Sequence, residues 1–178
     1  MSCDTVTIRL ASERDLPSIF DIYDEQVRHG TSTFETVPRS PAERLDWFAR
    51  HPPSRYPVLV ATVSGSVVGW AGLSPWSPRP AYARTAENSV YVHKDKRARG
   101  VGRALMLDLI QRARDIGIKV IVARPVEGND ASIRLHESLG FSTIGVMRRV
   151  GEKFGRVLDV RLMDLHLDEP TPTPPPHA

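Results

Sequence analysis

Stretches of alternating polarity and stretches with helical spacing follow one another along the chain. Apolar and polar residues alternate over 6–10, which predicts a half-buried strand. Ser12 and Asp15 have the spacing of a capping box, which predicts a helix that ends near Gly30. The apolar face of this helix consists of Leu16, Ile19, Phe20 and Tyr23.

A second helix and a hairpin are predicted next. The segment Ser40-Pro41-Ala42-Glu43 combines a capping serine, a proline in the first turn and a glutamate at the third position, as helix starts do. Leu45 and Phe48 are expected to form the inner face of that helix. The β-rich runs on either side of Ser64-Gly65-Ser66 predict a β-hairpin.

The rest of the pattern continues to alternate between strands and helices. Prolines make 74–84 a loop, and Gly140 marks the end of a helix. This order predicts an α/β domain with a mixed sheet. The further predicted strands are 88–93, 120–123, 141–150 and 157–166, and the further predicted helices are 105–116 and 131–139.

Length and composition limit the organisation of the chain. With 178 residues, of which 40% are hydrophobic and 25% charged, the chain fits one globular domain. Residues 169–178 are rich in proline, so we expect a disordered tail there. Residues 1–4 are expected to form a short N-terminal extension, which leaves 5–168 as the folded domain.

Several classes of protein are excluded by what the sequence lacks. Cys3 is the single cysteine, which excludes an intrachain disulfide and a cysteine-based zinc site. No apolar run approaches the ~20 residues of a membrane span, and the N-terminus lacks the pattern of a secretory signal. The histidines show no metal-ligand spacing, so we expect no metal site. The sequence therefore predicts a soluble cytoplasmic protein without a membrane partner.

A local excess of positive charge indicates an anionic ligand. The whole chain has a formal net charge of +3, whereas 94–114 alone holds seven basic and two acidic residues. A cluster at one place favours a bound anion over a general nucleic-acid surface. We therefore expect no nucleic-acid partner.

A strand followed by a glycine-containing turn gives this charge a structural context. The run Ser89-Val90-Tyr91-Val92-His93 is followed by Gly100-Val101-Gly102-Arg103 at the start of a helix. Glycines allow the backbone to approach a phosphate, and a helix N-terminus favours negative charge. Arg97, Arg99 and Arg103 would add charge-assisted contacts. The alternative is a basic helix start that faces only solvent.

Motifs spread over most of the chain resemble one family. Arg97-Ala98-Arg99-Gly100-Val101-Gly102 matches the Arg/Gln-x-x-Gly-x-Gly/Ala motif of the GNAT superfamily of N-acetyltransferases. Asn129, followed by 131–141, resembles the superfamily's second cofactor segment. The resemblance covers about residues 5–167. The segments most similar to the phosphinothricin and methionine sulfoximine acetyltransferase group are 85–93, 135–141 and 150–156.

The resemblance implies a fold and a cofactor. The fold is a single mixed, mostly antiparallel sheet of about seven strands flanked by about four helices. The cofactor is acetyl-CoA, with its pantetheine arm paired to the backbone of Val90, Tyr91 and Val92. The N–H of Val92 is implied near the thioester carbonyl, which makes it a candidate oxyanion donor. The other implied cofactor contacts are Arg97, Ala98, Arg99, Gly100, Val101, Gly102 and Arg103 at the pyrophosphate, and Asn129 and Ser132 further along.

Glu87 and His136 are the candidate side chains for proton transfer. An ammonium group must lose a proton before it attacks a thioester, so a nearby carboxylate is the expected base. Glu87 matches the acidic position of the family segment Thr-x-Glu-x-Ser/Thr-Val-Tyr-Val, and its alternative is an edge-strand carboxylate that faces solvent. His136 stands where many members carry a tyrosine that protonates the leaving thiolate. Its alternatives are assistance to the base and packing alone.

The acceptor is expected beside the proline-containing loop. The resemblance places Arg79 and Tyr82, with Ala81 between them, near an amino-acid-like substrate. An arginine can hold a carboxylate or phosphinate bidentately. Phe34 and Trp76 would form an apolar wall for the substrate, or alternatively belong to the core.

The resulting hypothesis is an enzyme that acetylates the α-amino group of a small amino-acid analogue by direct attack. The analogues that the resemblance implies are phosphinothricin, methionine sulfoximine and methionine sulfone. Acetylation of a protein N-terminus, a lysine or a polyamine stays open, and so does an acyl-CoA-binding regulatory domain without turnover. The resemblance also implies a homodimer.

Overall fold

Seven strands and four α-helices follow one another along the computed structural model, which describes residues 5–168. The predicted extension 1–4 and the predicted tail 169–178 lie outside the described residues. The strands are β1 Thr7–Leu10, β2 Val58–Val63, β3 Ser66–Pro75, β4 Thr85–Val92, β5 Val120–Ala123, β6 Ser142–Lys153 and β7 Arg156–His166. The helices are α1 Leu16–His29, α2 Pro41–Ala49, α3 Val101–Asp115 and α4 Asp130–Glu137.

One sheet contains these strands in the order β1-β2-β3-β4-β5-β7-β6. Neighbouring strands are antiparallel, except that β4 and β5 run parallel. The prediction of an α/β fold with a mixed, mostly antiparallel sheet of seven strands and four helices is confirmed. The parallel pair lies in the middle of the sheet, and the candidate site develops from it.

Helices cover both faces of the sheet and bury a core on each. On one face, α3 packs an apolar stripe in which Leu105, Met106 and Leu109 are fully buried. On the opposite face, Phe20 of α1 packs with Trp70 of β3. Aromatic rings concentrate on this second face, which therefore differs in chemistry from the aliphatic face beneath α3.

The region before α1 confirms the predicted cap. The Asp15 carboxylate accepts hydrogen bonds from the Ser12 backbone N–H at 2.8 Å and from the Ser12 hydroxyl at 2.9 Å. It also accepts two hydrogen bonds from the Arg9 guanidinium of β1, both at 2.7 Å. The Arg9 hydrogen bonds lower the pKa of Asp15 to about 2. This ion pair fastens the first helix to the first strand.

The start of α2 is confirmed, whereas one residue of its predicted inner face is wrong. The Ser40 N–H donates to the Glu43 carboxylate at 2.8 Å, and the Glu43 N–H donates to the Ser40 hydroxyl at 3.4 Å. Leu45 is exposed. Trp47 packs inward instead, edge-on to the Phe20 ring with 5.4 Å between centroids. The contact with α1 selects this face, which the spacing within a nine-residue helix does not specify.

Several strands extend beyond their predicted bounds. β3 continues to Pro75 and β4 begins at Thr85, so the loop between them is shorter than predicted. β6 and β7 continue to a two-residue turn at Phe154-Gly155, whose φ angles are 52° and 69°. The sequence predicts a longer bridge there, over 151–155. Pairing with a neighbouring strand overrides the weak β-propensity of the residues near these ends.

Candidate active site

The site is a cleft that opens where β4 and β5 separate. The two strands pair only over the first three residues of β4, although β4 continues along β3 to its end. After β5 the chain turns toward β7. There the Pro125 carbonyl accepts the Arg161 backbone N–H at 2.9 Å, and Val126 forms a bridge with Val160. The separation leaves a cavity of about 1030 Å³.

The open edge of β4 presents backbone groups to this cleft. The His93 N–H donates to the Val68 carbonyl of β3 at 2.9 Å, and the register of β3 with β4 is continuous from there. Since backbone groups of successive residues in a strand point to opposite sides, the N–H and C=O groups of Val90 and Val92 point into the cleft. The Val92 carbonyl accepts a hydrogen bond from Arg97 Nε at 3.2 Å. An extended ligand can pair with such an edge as an added strand.

The start of α3 closes one end of the cleft with N–H groups. Its first helical bond runs from the Ala104 N–H to the Gly100 carbonyl at 2.9 Å, so the N–H groups of 101–103 have no partner within the helix. Gly100 precedes the helix with φ 78° and provides no side-chain cap. Ala98 also has a positive φ, 57°. Such a turn has the geometry of an anion cradle.

Gly102 keeps this cradle accessible. A Cβ at this position would lie 3.3 Å from Leu135 Cδ2 and 3.7 Å from Val92 Cγ2. A methyl group would therefore be tight, and a branched side chain would have to enter the cleft.

Cations surround the same turn. Lys96, Arg97 and Arg103 line the cleft, whereas the exposed Arg99 does not. The positive end of the α3 dipole points to the same place. This end of the cleft is therefore suited to a phosphate-containing ligand.

The N-terminus of α4 forms another wall of the cleft. Asn129 Oδ1 accepts the Ser132 N–H at 3.3 Å and so caps the helix. Asn129 Nδ2 donates to the Ser32 hydroxyl at 3.3 Å, in the segment after α1. Asn129 and Ser132 both line the cleft. These two predicted cofactor contacts therefore also hold α4 in place.

His136 is buried at the cleft with both ring nitrogens hydrogen-bonded. Nδ1 lies 2.7 Å from the Ser132 carbonyl, and Nε2 lies 3.0 Å from Asn88 Nδ2. A carbonyl accepts and an amide nitrogen donates, so this network assigns the proton to Nδ1 and makes Nε2 the acceptor. Burial lowers the pKa of His136, which favours this neutral form. The ring also packs edge-on against Phe141, with 4.9 Å between centroids.

Asn88 presents an unsatisfied oxygen at the same place. Its Nδ2 is bonded to His136, whereas its Oδ1 is buried and has no hydrogen-bond partner among the described residues. Asn88 lines the cleft from β4. A buried amide oxygen without a donor is unfavourable. The site therefore fits a ligand that brings an N–H or S–H donor to this depth.

Glu87, the predicted base, is held by an arginine. Arg124 donates from Nε to Glu87 Oε1 at 2.8 Å and from Nη2 to Glu87 Oε2 at 2.7 Å. The Arg124 guanidinium also lies over the Trp76 ring, 5.6 Å from its centroid. The Glu87 side chain is 21% exposed and that of Arg124 is 45% exposed. The candidate base is therefore half of a bidentate ion pair.

Sequence reasoning missed Arg124. It directly follows β5 and precedes Pro125, which restricts its backbone to extended conformations. It therefore stands where β4 and β5 diverge, across from Glu87. The available signal was a charged residue directly after a short buried strand. Its partner lies 37 residues earlier in the chain, so the pairing itself required the fold.

A second cavity, of about 130 Å³, lies beside the cleft on the α1 face. Glu87, Ser89 and Tyr91 alternate toward this face, and the last two line both cavities. Tyr91 stacks on Trp70 with 5.0 Å between centroids, and burial raises the pKa of Tyr91. The Trp70 Nε1–H is buried without a partner among the described residues. This cavity is an aromatic pocket with an unused hydrogen-bond donor.

Phe34 lines the cleft from the segment after α1 and is 40% exposed. Its ring lies against Gly151 of β6, where a Cβ would overlap it. Lys153 of the same strand is buried, and its Nζ donates to the Thr33 carbonyl at 2.9 Å and to the Gln26 carbonyl at 3.0 Å. This part of β6 therefore positions Phe34, a role that sequence reasoning did not assign to it.

The other predicted acceptor residues lie outside the cleft. Arg79, Ala81 and Tyr82 are exposed on and beside a short 3₁₀ turn, and they line neither cavity. Trp76 reaches the site through Arg124. The structure thus brings Phe34 into the cleft and Trp76 against Arg124, and it leaves the turn at the surface of the chain. The role of the turn in acceptor binding stays a prediction.

Within residues 5–168, no group of three or more His, Cys, Asp or Glu side chains is arranged to hold a metal ion. None of the helices in this range has both the length and the apolar composition that crossing a membrane requires.

Known proteins are similar in sequence to this chain over most of its length. Residues 16–141 match the Acetyltransferase (GNAT) family. The L-methionine sulfoximine/L-methionine sulfone acetyltransferase of Pseudomonas aeruginosa is 43% identical over 172 residues, which cover 96% of this chain and 99% of that protein. The phosphinothricin N-acetyltransferase of Alcaligenes faecalis is 40% identical over 163 residues, which cover 91% of this chain and 83% of that protein.

A solved structure shares the fold. An acetyltransferase of Salmonella typhimurium, solved with its cofactor acetyl-CoA, has a TM-score of 0.89 to this chain at 41% identity. The match covers 93% of this chain and 95% of that one. The resemblance that the motifs indicated is thereby confirmed. The chain is an acetyltransferase that belongs to the GNAT family.

Proposed function

We propose that the protein transfers the acetyl group of acetyl-CoA to the α-amino group of a small amino-acid analogue. The relatives that acetylate methionine sulfoximine, methionine sulfone and phosphinothricin support this class of acceptor. The observation that carries the proposal is the continuity of the cleft. It runs from the anion cradle at α3 along the open edge of β4 to Glu87.

The residues of the cleft fit acetyl-CoA, which supplies an acetyl group activated as a thioester when bound. The cradle at 98–103 holds the pyrophosphate, with Arg97 beside it. The backbone groups of Val90 and Val92 pair with the pantetheine arm. The unsatisfied Oδ1 of Asn88 lies further along the same edge, toward Glu87, and accepts a donor from the ligand.

Glu87 takes the proton from the acceptor ammonium, directly or through water. Each of its oxygens accepts one bond from Arg124 and keeps a second lone pair for this purpose. At roughly 3.3 Å per residue, Glu87 lies about 10 Å from Val90 and about 16 Å from Val92 along β4. The Val90 N–H therefore joins the Val92 N–H as a candidate oxyanion donor, and it is the nearer of the two to the base.

His136 holds the site together in this proposal. Its Nδ1 proton is used by the Ser132 carbonyl, and its Nε2 accepts from Asn88. The neutral ring therefore has no free proton to give to a leaving thiolate. Among its three predicted roles, packing agrees best with this network, and we add support of Asn88, which the sequence did not predict.

The arrangement of charge favours an amino acid over a polyamine or a lysine side chain. Arg124 places a positive charge next to the base. A second cation on the acceptor would be repelled there, whereas a carboxylate would be attracted. The alternative of an acyl-CoA-binding domain without turnover does not account for a carboxylate in the cleft at the end of the open edge.

The test is thiol release from acetyl-CoA, with mass spectrometry of the product. The acceptors are methionine sulfone, methionine sulfoximine, phosphinothricin, a peptide with a free N-terminus, and spermidine. We expect turnover and N-acetylation with the amino-acid analogues. Turnover with spermidine or the peptide alone would contradict the proposed acceptor. Binding of CoA without thiol release for any acceptor would favour the regulatory alternative.

A cytoplasmic homodimer is the form that we propose for the enzyme. β6 forms one edge of the sheet and exposes apolar side chains. Ile144 and Val150 are 60% and 51% exposed, a surface that a second copy would cover. The molar mass in solution distinguishes one chain from two.

The proposed role is detoxification of such analogues, because acetylation removes the positive charge of the acceptor. Detoxification would in turn give resistance to these analogues as antibiotics.

A further inference from the structure

The ion pair between Glu87 and Arg124 has the charges that an α-amino acid needs. An α-amino acid carries an ammonium and a carboxylate on the same carbon atom. Glu87 and Arg124 present the opposite charges, side by side, at the mouth of the separation between β4 and β5. We infer that Arg124 binds the α-carboxylate of the acceptor while Glu87 receives its ammonium. This inference rests on the proposed function and names the group that selects the substrate class.

The hydrogen bonds of Arg124 leave the required donors available. A guanidinium has five N–H groups. Arg124 uses Nε and Nη2 to hold the two oxygens of Glu87, and Nη1 has no hydrogen-bond partner among the described residues. The edge formed by Nη1 and the second N–H of Nη2 therefore remains for a carboxylate. Arg124 can bind Glu87 on one edge and the acceptor on the other without breaking the existing pair.

Trp76 helps to position this guanidinium. Its ring lies 5.6 Å from the Arg124 guanidinium carbon, within the range of a cation–π contact. A side chain held by both Glu87 and Trp76 loses little further freedom when it binds a ligand. Trp76 is thus a positioning residue for Arg124, which gives a reason for an aromatic residue in this loop.

Competing cations are less well placed. Lys96, Arg97 and Arg103 line the cleft near the start of α3, beyond the far end of the open edge from Glu87. Arg79 is exposed on the loop and lines neither cavity. Among the cationic side chains of the described residues that line the cleft, Arg124 therefore makes the direct contact with the base.

The experiment compares two acceptors that differ only in the carboxylate. These are methionine sulfone and its decarboxylated form, 3-(methylsulfonyl)propylamine. Arg124→Gln should lower kcat/KM for the amino acid relative to the amine by about tenfold to hundredfold, the loss expected for a charged hydrogen bond. The change should be in the acceptor KM. The KM for acetyl-CoA should stay within about twofold, because the cradle at α3 is untouched.

Arg161→Gln is the matched control. Arg161 holds Glu127 by an equally bidentate pair, at 2.9 and 2.6 Å, and neither residue lines the cleft. This variant breaks a bidentate arginine–glutamate pair outside the cleft. It should leave the preference between the two acceptors unchanged. Trp76→Leu should shift that preference in the same direction as Arg124→Gln, by a smaller factor, with the acetyl-CoA KM again unchanged.

Two results would overturn the inference. One is an equal loss of kcat for both acceptors in Arg124→Gln, which would mean that Arg124 only positions Glu87. The other is a loss of preference in Arg79→Ala and not in Arg124→Gln, which would assign the carboxylate to the loop.

Calorimetric binding of methionine sulfone to the CoA-loaded enzyme separates this inference from the proposed function. Binding that is weakened by Arg124→Gln, in an enzyme that does not turn over the amino acid, would refute the proposed function and support the carboxylate site. Binding that does not depend on Arg124 would refute the carboxylate site, even in an active enzyme.

Discussion

The two ends of the cleft are built in different ways. At the α3 end, the functional groups are backbone N–H groups of one continuous turn. Gly102 matters there because it has no side chain. At the other end, the functional groups are side chains from β4, from the residue after β5 and from the loop after β3. The first end depends on local conformation and the second on tertiary placement.

This difference determines how each end responds to substitution. A backbone site tolerates most changes of side chain but fails when a Cβ or a branched chain enters the space of the ligand. A side-chain site fails when one charge is removed, because the partner then remains without its counter-ion. Effects on the cofactor and on the acceptor should therefore separate between the two ends, and each prediction below tests that separation.

Glu87→Gln should have the largest effect. The glutamine keeps the shape of the side chain and one acceptor for Arg124, but it cannot take a proton. Loss of a general base costs typically about 10²- to 10⁴-fold in turnover, and we expect a loss of that size at neutral pH. The dissociation constant of CoA should stay near the wild-type value, because no cofactor contact in the proposed arrangement uses this side chain.

The pH dependence sharpens this prediction. As pH rises, more of the acceptor arrives already deprotonated and needs no base, so the defect should shrink in a pH–rate profile. Turnover close to the wild-type value at neutral pH would show that the proton leaves by another route. A large increase in the CoA dissociation constant would show that the two ends are not independent.

Gly102→Val should have the next largest effect, on the opposite end. The Cβ would already lie 3.3 Å from Leu135, so the branched chain must enter the cradle or displace α4. Loss of charged hydrogen bonds to the pyrophosphate predicts a CoA dissociation constant raised by roughly tenfold to hundredfold. Isothermal titration measures it. Gly145→Val, at an open position of β6, is the control. An unchanged CoA dissociation constant in a folded Gly102→Val protein would contradict the assignment of the turn as a pyrophosphate cradle.

The same difference explains what could be predicted from the sequence. The cradle follows from a short motif, and the helix caps at Ser12 and Ser40 follow from residues three positions apart. Such features need only local rules. The polarity pattern also identifies the seven strands, whereas their order in the sheet required the structure, because alternation identifies strands without identifying their neighbours.

The Glu87 end could not be predicted to the same depth. The family resemblance indicated Arg79 as the partner of the acceptor. The structure places Arg124 against Glu87, 37 residues away along the chain, because β4 and β5 are neighbours in the sheet. The wrong prediction for Leu45 has the same cause, because contact with α1, and not spacing along the chain, selects the inner face of α2.

His136→Gln should have the smallest effect on activity. His136 lies between the two ends, bonded to Asn88 of β4 and to Ser132 of α4. The oxygen of glutamine can accept from Asn88 as Nε2 does, and glutamine does not titrate. We expect turnover to fall by less than about tenfold, the shape of the pH–rate profile to be unchanged, and the stability to change instead. A loss of a hundredfold or more would show that the imidazole transfers a proton.

The stability change has a defined direction with pH. Burial lowers the pKa of His136 in the folded state, so below the pKa of an unfolded histidine, about 6.5, the unfolded chain holds more protons than the folded one. The free energy of unfolding therefore falls as pH falls through that window, by at most about 1.4 kcal/mol per pH unit for one histidine. His136→Gln should reduce this fall in urea denaturation at pH 7.5 and pH 5.5. Burial also lowers the pKa of His51, which lines the second cavity and not the cleft, so the control variant His51→Gln should reduce the same fall with turnover near the wild-type value. If neither variant reduces the fall in the free energy of unfolding toward low pH, other titrating groups cause that fall.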